Sequence, residues 1–249
     1  MKIEAREEGV ELRLQGLPPI WMHAGMPLVA IVLTSPLWSR FNAPGVETAV
    51  LVAAGFILSV LAHELGHALT AQRFGLQPVL IRLHAGGGEA QWLGDAGSRR
   101  QESAILLAGP LANLAIGAAC LAAYALLAPD PPAAHMPPVI RPVLPRSLLW
   151  LGWINIALAG INLLPAFPLD GGRLLHNLIE ARWGSRRGLL VIGFSGVVLA
   201  VFAKLVFLAS ILAGMPIWSP PDLWPNWAAL RAARAPAQPP GQGGPWGGR

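Results

Sequence analysis

Hydrophobic positions in this chain fall in long blocks rather than alternating with polar ones. Five apolar blocks cover residues 20–38, 46–69, 103–127, 148–164 and 189–213. A helix needs about 20 apolar residues, range about 17–25, to cross a bilayer core. All five blocks reach that range, the fourth only just. The pattern predicts an all-α polytopic membrane protein with five transmembrane helices. A partial sixth segment within residues 211–230 would reverse the side on which the tail emerges, and the prolines there argue against a full span.

The segments between the blocks differ in character. Residues 1–19 mix Lys2, Arg6 and Arg13 with Glu4, Glu7, Glu8 and Glu11. That is unlike the basic start of a cleavable signal peptide, so the first block is expected to stay as an anchor. Residues 39–45 read as a short turn. Residues 128–147 carry seven prolines and are expected to form an extended loop. In 76–93, the extended runs 79–83 and 89–92 flank the glycine-rich segment His84 to Gly88, predicting a small membrane-associated β-hairpin between spans two and three. An ordinary surface loop is the alternative. Residues 215–249 are rich in Pro, Gly and Trp. Trp218, Trp224 and Trp227 suit a membrane interface, and the last dozen residues read as disordered. The expected division is a cytoplasmic segment at 1–19, an intramembrane core at 20–214 and a tail at 215–249.

Composition supports the membrane reading. The chain is 54% hydrophobic and 12% charged, against about 25% charged in soluble domains. Its formal charge of +5 flanks apolar spans, so it speaks to orientation and not to nucleic acid. With the N-terminus cytoplasmic, eleven Lys and Arg fall in inside loops and only Arg40, Arg141 and Arg146 in outside ones. Basic residues favour the cytoplasmic side, so this orientation is expected, in what reads as a bacterial inner membrane. The single cysteine, Cys120, allows no internal disulfide and is expected to be a buried inert thiol. Lys204 lies within the fifth block, with nothing linking it to chemistry.

One polar cluster interrupts the second block: His63-Glu64-Leu65-Gly66-His67. On a helix, residues i and i+4 lie about 40° apart around the axis and about 6 Å apart along it. The two imidazoles can therefore share one metal ion, with Glu64 beside them as general base. A lone carboxylate at bilayer depth is expensive and marks function by default. Chance, or two core histidines with a paired glutamate, is the bland alternative.

Catalytic zinc takes three protein ligands and keeps a position open. His23, Glu102, Asp170, His176 and Glu180 are the candidates for the third. Asp170 ends the run Asn162-Leu-Leu-Pro165-Ala-Phe-Pro168-Leu-Asp170-Gly171-Gly172. Its prolines and glycines force irregular backbone, which is tolerated at membrane depth only when buried in protein or lining a cavity. With the N-terminus inside, spans two and four both run inward. His63, ten residues before Arg73, then sits about 15 Å from the cytoplasmic edge. Asp170 also lies toward the inner end of its segment.

These motifs resemble those of the site-2 protease family of intramembrane zinc metalloproteases. The resemblance rests on His63 to His67, on the run from Asn162 to Gly172, on Gly109-Pro110-Leu111-Ala112-Asn113, and on the glycine-rich residues 84–88. It covers roughly residues 20–185, without a PDZ-like insertion or a C-terminal regulatory domain, as in the minimal-core type. It implies His63, His67 and Asp170 as ligands of one zinc ion, Glu64 as the catalytic carboxylate, and a substrate-side role for Asn113 or Asn162. Two bland alternatives stand beside the last assignment: Gly109 to Asn113 as a close-packing helix start, and Asn162 bonding the broken backbone. The implied function is hydrolysis of peptide bonds in or near the transmembrane segment of single-span membrane proteins, on the cytoplasmic side of the bilayer. The rival is a non-proteolytic membrane protein that keeps the metal for binding, such as a carrier.

Overall fold

The computed structural model describes residues 2–6, 8–38, 43–127, 143–212 and 223–235. The N-terminal segment is folded. β1 (Lys2–Arg6) and β2 (Gly9–Arg13) form an antiparallel hairpin. β3 (Ile20–His23) pairs with β2 on one side and runs parallel to a later strand on the other.

The first apolar block is not one long helix. After β3 it continues as α1 (Gly25–Leu33) and α2 (Ser35–Trp38). The Thr34 hydroxyl donates back to the Ala30 carbonyl at 2.9 Å. Two residues on, Pro36 brings no N–H to continue the ladder.

The second block is α3 (Ala43–Arg73). It leads into β4 (Gln77–His84) and β5 (Gly87–Leu93), the hairpin expected from residues 79–92 and slightly longer. The hairpin belongs to a larger sheet of order β1-β2-β3-β4-β5, in which Ile20 faces Ile81 across the parallel β3–β4 pair. Ile20, Ile81 and Leu83 pack against Phe56, Val60 and Ala68 of α3, with Met26 and Ala30 of α1 closing the cluster. This core ties the sheet to the face of α3 near the metal motif.

α4 (Arg99–Leu127) starts at Ser98, whose hydroxyl accepts the Gln101 N–H at 3.3 Å. Cys120 on α4 is half-buried rather than enclosed. The proline-rich residues 128–142 lie outside the described residues. Residues 143–147, expected in that loop, instead open α5 (Val143–Asn162), where Pro145 falls in the first turn and its missing N–H breaks no helical bond. Residues 163–169 are irregular, as Pro165 and Pro168 require. α6 (Asp170–Trp183) is a short helix ended by Gly184 at φ 84°. α7 (Ser185–Leu212) is the fifth block, with Lys204 exposed on its surface.

Residues 213–222 and 236–249, including Trp218 and the terminal dozen, lie outside the described residues. Between them, α8 (Trp224–Arg234) runs antiparallel to α7. Its Asn226 meets Gly196, its Leu230 meets Gly193, and Arg186 donates to the Ala233 carbonyl at 2.8 Å. The C-terminal end of α8 therefore lies beside the start of α7.

Among the described residues, four helices are long and apolar enough to cross a membrane: α3, α4, α5 and α7. Their outer faces keep Leu58, Leu126, Phe194, Phe202 and Leu205 at least 60% exposed. Surfaces this apolar mark contact with lipid or protein. The chain is a multi-pass membrane protein in which α3, α4 and α5 pack on one another and α3 carries the sheet.

Candidate metal centre

His63 and His67 point the same way from successive turns of α3. Their Nε2 atoms are 3.1 Å apart, and Asp170 Oδ2 lies 3.1 Å from the first and 3.3 Å from the second. Asp170 stands in the first turn of α6, just past the irregular loop. Its neighbours explain the two glycines after it. A Cβ at Gly171 would overlap the Leu163 carbonyl, and one at Gly172 the Ala166 carbonyl. Only glycines let α6 begin directly on the loop it follows.

α4 supplies the back wall. A Cβ at Gly109 would strike the His67 ring and come within 2.7 Å of His63 Nε2. On the other side of the contact, a Cβ at Gly66 would come within 2.6 Å of the Ala108 carbonyl. The central glycine of the pentapeptide and the first residue of Gly109-Pro110 are thus two halves of one close helix crossing.

Hydrogen bonds settle the state of both imidazoles. His67 Nδ1 lies 2.7 Å from the Ile105 carbonyl, and His63 Nδ1 lies 2.7 Å from Asn113 Oδ1. Asn113 Nδ2 donates to the Ser59 carbonyl at 3.1 Å and to Asn155 Oδ1 at 2.9 Å, so the oxygen of its amide faces His63. Asn155 in turn donates to Ser59 Oγ at 2.9 Å and to the Leu151 carbonyl at 2.9 Å. A carbonyl and an amide oxygen can only accept. Each neutral imidazole therefore carries its hydrogen on Nδ1 and presents a bare lone pair at Nε2.

That arrangement tests whether a metal fits. Two lone pairs and a carboxylate oxygen within 3.1–3.3 Å of one another repel unless a cation sits among them. Tetrahedral zinc, with bonds of about 2.0–2.1 Å, separates its ligand atoms by about 3.3–3.4 Å. The triangle of donors has nearly that size. Asp170 lies beyond the end of α5. The third donor is a carboxylate anion. His63, His67 and Asp170 are positioned to hold a metal ion, and their chemistry suits zinc.

Glu64 is buried beside them, at 5% exposure. It reaches the sheet: a Cβ at Gly88 would come within 2.5 Å of Glu64 Oε1. The backbone of β5, an edge strand of the sheet, therefore lies against this carboxylate.

The other candidates are placed elsewhere. His23 ends β3, where its Nδ1 accepts the Gly25 N–H at 2.9 Å. Glu180 pairs with Arg99 at 3.6 Å, and Glu102 is exposed in the first turn of α4. The His176 ring lies against Phe167, 5.9 Å between centroids. Asn162 is half-buried at the end of α5 and donates to the Leu158 carbonyl at 3.0 Å. Asn113 is fully buried at 0% exposure, with both ends of its amide engaged inside the protein. Ser59 and Asn155 were not legible as site residues. One small and one amide side chain in apolar helices carry no signal until the three helices are packed.

A family model for Peptidase family M50 matches residues 51–140 and 138–208, more than half of the chain and all of the polar residues around the metal centre. The chain belongs to this family. It is 32% identical over 195 residues to Rip3 of Mycobacterium tuberculosis, covering 77% of this chain and 48% of that protein. It is 31% identical over 199 residues to Zinc metalloprotease MJ0392 of Methanocaldococcus jannaschii, covering 80% and 53%. The chain thus spans about half the length of these curated relatives. Among solved structures, the site-2 protease from Methanocaldococcus jannaschii shares the fold, with a TM-score of 0.58 at 24% identity over 91% of this chain and 94% of that one.

Proposed function

We propose that this chain is an intramembrane zinc endopeptidase that hydrolyses a peptide bond in or near the transmembrane segment of membrane-protein substrates. The carrying observation is the convergence of two bare imidazole nitrogens and one carboxylate oxygen beside a buried glutamate, with both imidazoles on a helix long and apolar enough to cross a membrane. The zinc named for the Methanocaldococcus relative supports the choice of metal.

His63, His67 and Asp170 would hold the zinc. When bound, zinc supplies Lewis acidity toward the scissile carbonyl and makes water a nucleophile near neutral pH. Glu64 accepts the proton released from that water and delivers it to the leaving amine. Asn113 and the Ile105 carbonyl keep the imidazoles in the tautomer that leaves Nε2 free. Asn113 is assigned to orienting His63, and Asn162 is kept as the substrate-side residue.

A transmembrane substrate hides its carbonyls in its own hydrogen bonds, so it has to unwind locally before hydrolysis. The β5 edge beside Glu64 suits an extended segment added by strand pairing. The charge distribution favours the cytoplasmic side of a bacterial inner membrane for the site. A carrier would require a path of further ligands; among the described residues His63, His67 and Asp170 are the one such group.

The test is a single-span substrate co-expressed with the wild type or with Glu64→Gln. The glutamine variant is expected to retain zinc and to lose cleavage by about 10²–10⁴-fold. Equal cleavage by the two would remove the protease reading and leave metal binding.

A further inference from the structure

The loop that delivers Asp170 has unusual support. Pro165 and Pro168 give it no N–H donors, and residues 163–169 make no regular ladder. Phe167, three residues before Asp170, is held by a side chain from the far end of the chain. Its N–H donates to Asn226 Oδ1 at 2.8 Å, and its carbonyl accepts from Asn226 Nδ2 at 2.8 Å. The Ser195 hydroxyl takes the Pro165 carbonyl at 2.6 Å. Asn226 is 1% exposed on α8. α7 is shaped to admit it, since a Cβ at Gly196 would overlap the Asn226 amide and one at Gly193 would come within 3.0 Å of the Asn226 carbonyl. α8 lies beyond residue 208, where the family match ends.

We infer that Asn226 is a positioning residue for the metal centre: by clamping both backbone groups of Phe167, it sets where the Asp170 carboxylate stands relative to His63 and His67. Irregular backbone at membrane depth needs internal partners. A two-bond amide clamp supplies them and fixes the loop's direction as well. The C-terminal helix is then part of the metal site and not a tail. This inference rests on the reading of His63, His67 and Asp170 as ligands.

The test uses the full chain in detergent, loaded with cobalt(II), whose visible spectrum reports ligand geometry. Asn226→Ala is expected to weaken cobalt binding about 10–100-fold, as loss of a ligand's supporting contacts does, and to shift the spectrum. In the metal-free protein it should also raise hydrogen exchange over residues 163–170. Asn226→Asp keeps the size and the acceptor for the Phe167 N–H but loses the donor. It should shift the spectrum in the same direction by less, and it carries the test if the alanine variant does not fold. Leu230→Ala, which loosens α8 on α7 without touching the amide, should leave the spectrum as in the wild type. Wild-type affinity and spectrum in the Asn226 variants would overturn the inference. So would equal shifts in Leu230→Ala and Asn226→Ala, which would make α8 mere packing. Failure of the wild type to bind cobalt, or full binding by His63→Ala, would instead sink the ligand assignment itself.

Discussion

Two stretches of chain build the metal centre, and they are held by different means. On α3 the spacing of His63 and His67 follows from helix geometry, and the rings are pinned by buried partners on α4. Asp170 arrives on irregular backbone whose direction no local rule specifies. It depends on Gly171 and Gly172 fitting against the loop and on side chains of α7 and α8 holding it. Half of the site is preorganised by secondary structure, and the other half by tertiary contacts. Substitutions on the α3 side should therefore act through the rings, and those on the loop side through backbone position.

The largest expected effect lies where α4 touches both rings. Gly109→Ala places a methyl group in the space of the two imidazoles, and zinc retained per purified chain should fall to background along with cleavage. Stoichiometric zinc in that variant would show that the α3 half is not rigid. Next comes Asn113→Ala, which frees the His63 ring while the helix stays intact. Chelator competition should give zinc binding weaker by about 10–100-fold, with helical content unchanged by circular dichroism. A zinc affinity equal to the wild type would assign Asn113 to packing alone.

A smaller effect is expected one step further from the ion. Asn155→Ala removes a partner of Asn113 and leaves buried groups unpaired, a loss of about 1–3 kcal/mol in stability. Thermal unfolding in detergent should show it, while zinc affinity should change less than in Asn113→Ala. The reverse order would mean that the network does not run outward from His63. The smallest effect belongs to Arg99→Ala. Its pair with Glu180, at 3.6 Å with the arginine side chain 55% exposed, should contribute less than about 1 kcal/mol. A large destabilisation there would make the α4–α6 ion pair, and not the amide clamp, the main support of the loop side.

The same division explains what could be read from the residues. Four of the five apolar blocks are single long helices, because length and hydropathy are local properties. The first block carried the same hydropathy but splits after Leu33, ahead of Ser35 and Pro36, and gives its first residues to a sheet. β1 is legible in principle, since Lys2 to Arg6 alternates polar and apolar residues, but its charges suit a solvated segment equally well. The pairing of β3 with β4 joins Ile20 to Ile81, and nothing near either residue announces the other. Asp170 stood among five candidates for a third ligand, and packing brought it alone of the five to the histidines. α8 read as part of a tail because its burial depends on glycines of α7 about 30 residues away.

By itself the sequence determined that this is a membrane protein, that His63, Glu64 and His67 share one helix, and that the backbone before Asp170 is irregular. Helix period, transfer free energy and the dihedral limits of proline act over a few residues, so short stretches suffice to express them. The tertiary structure alone decided which carboxylate completes the donor set, which asparagine turns His63, and that the C-terminal helix folds back to hold the loop. Those outcomes depend on which surfaces meet, and in this chain the contacts that settle them join residues about 40 to 110 positions apart.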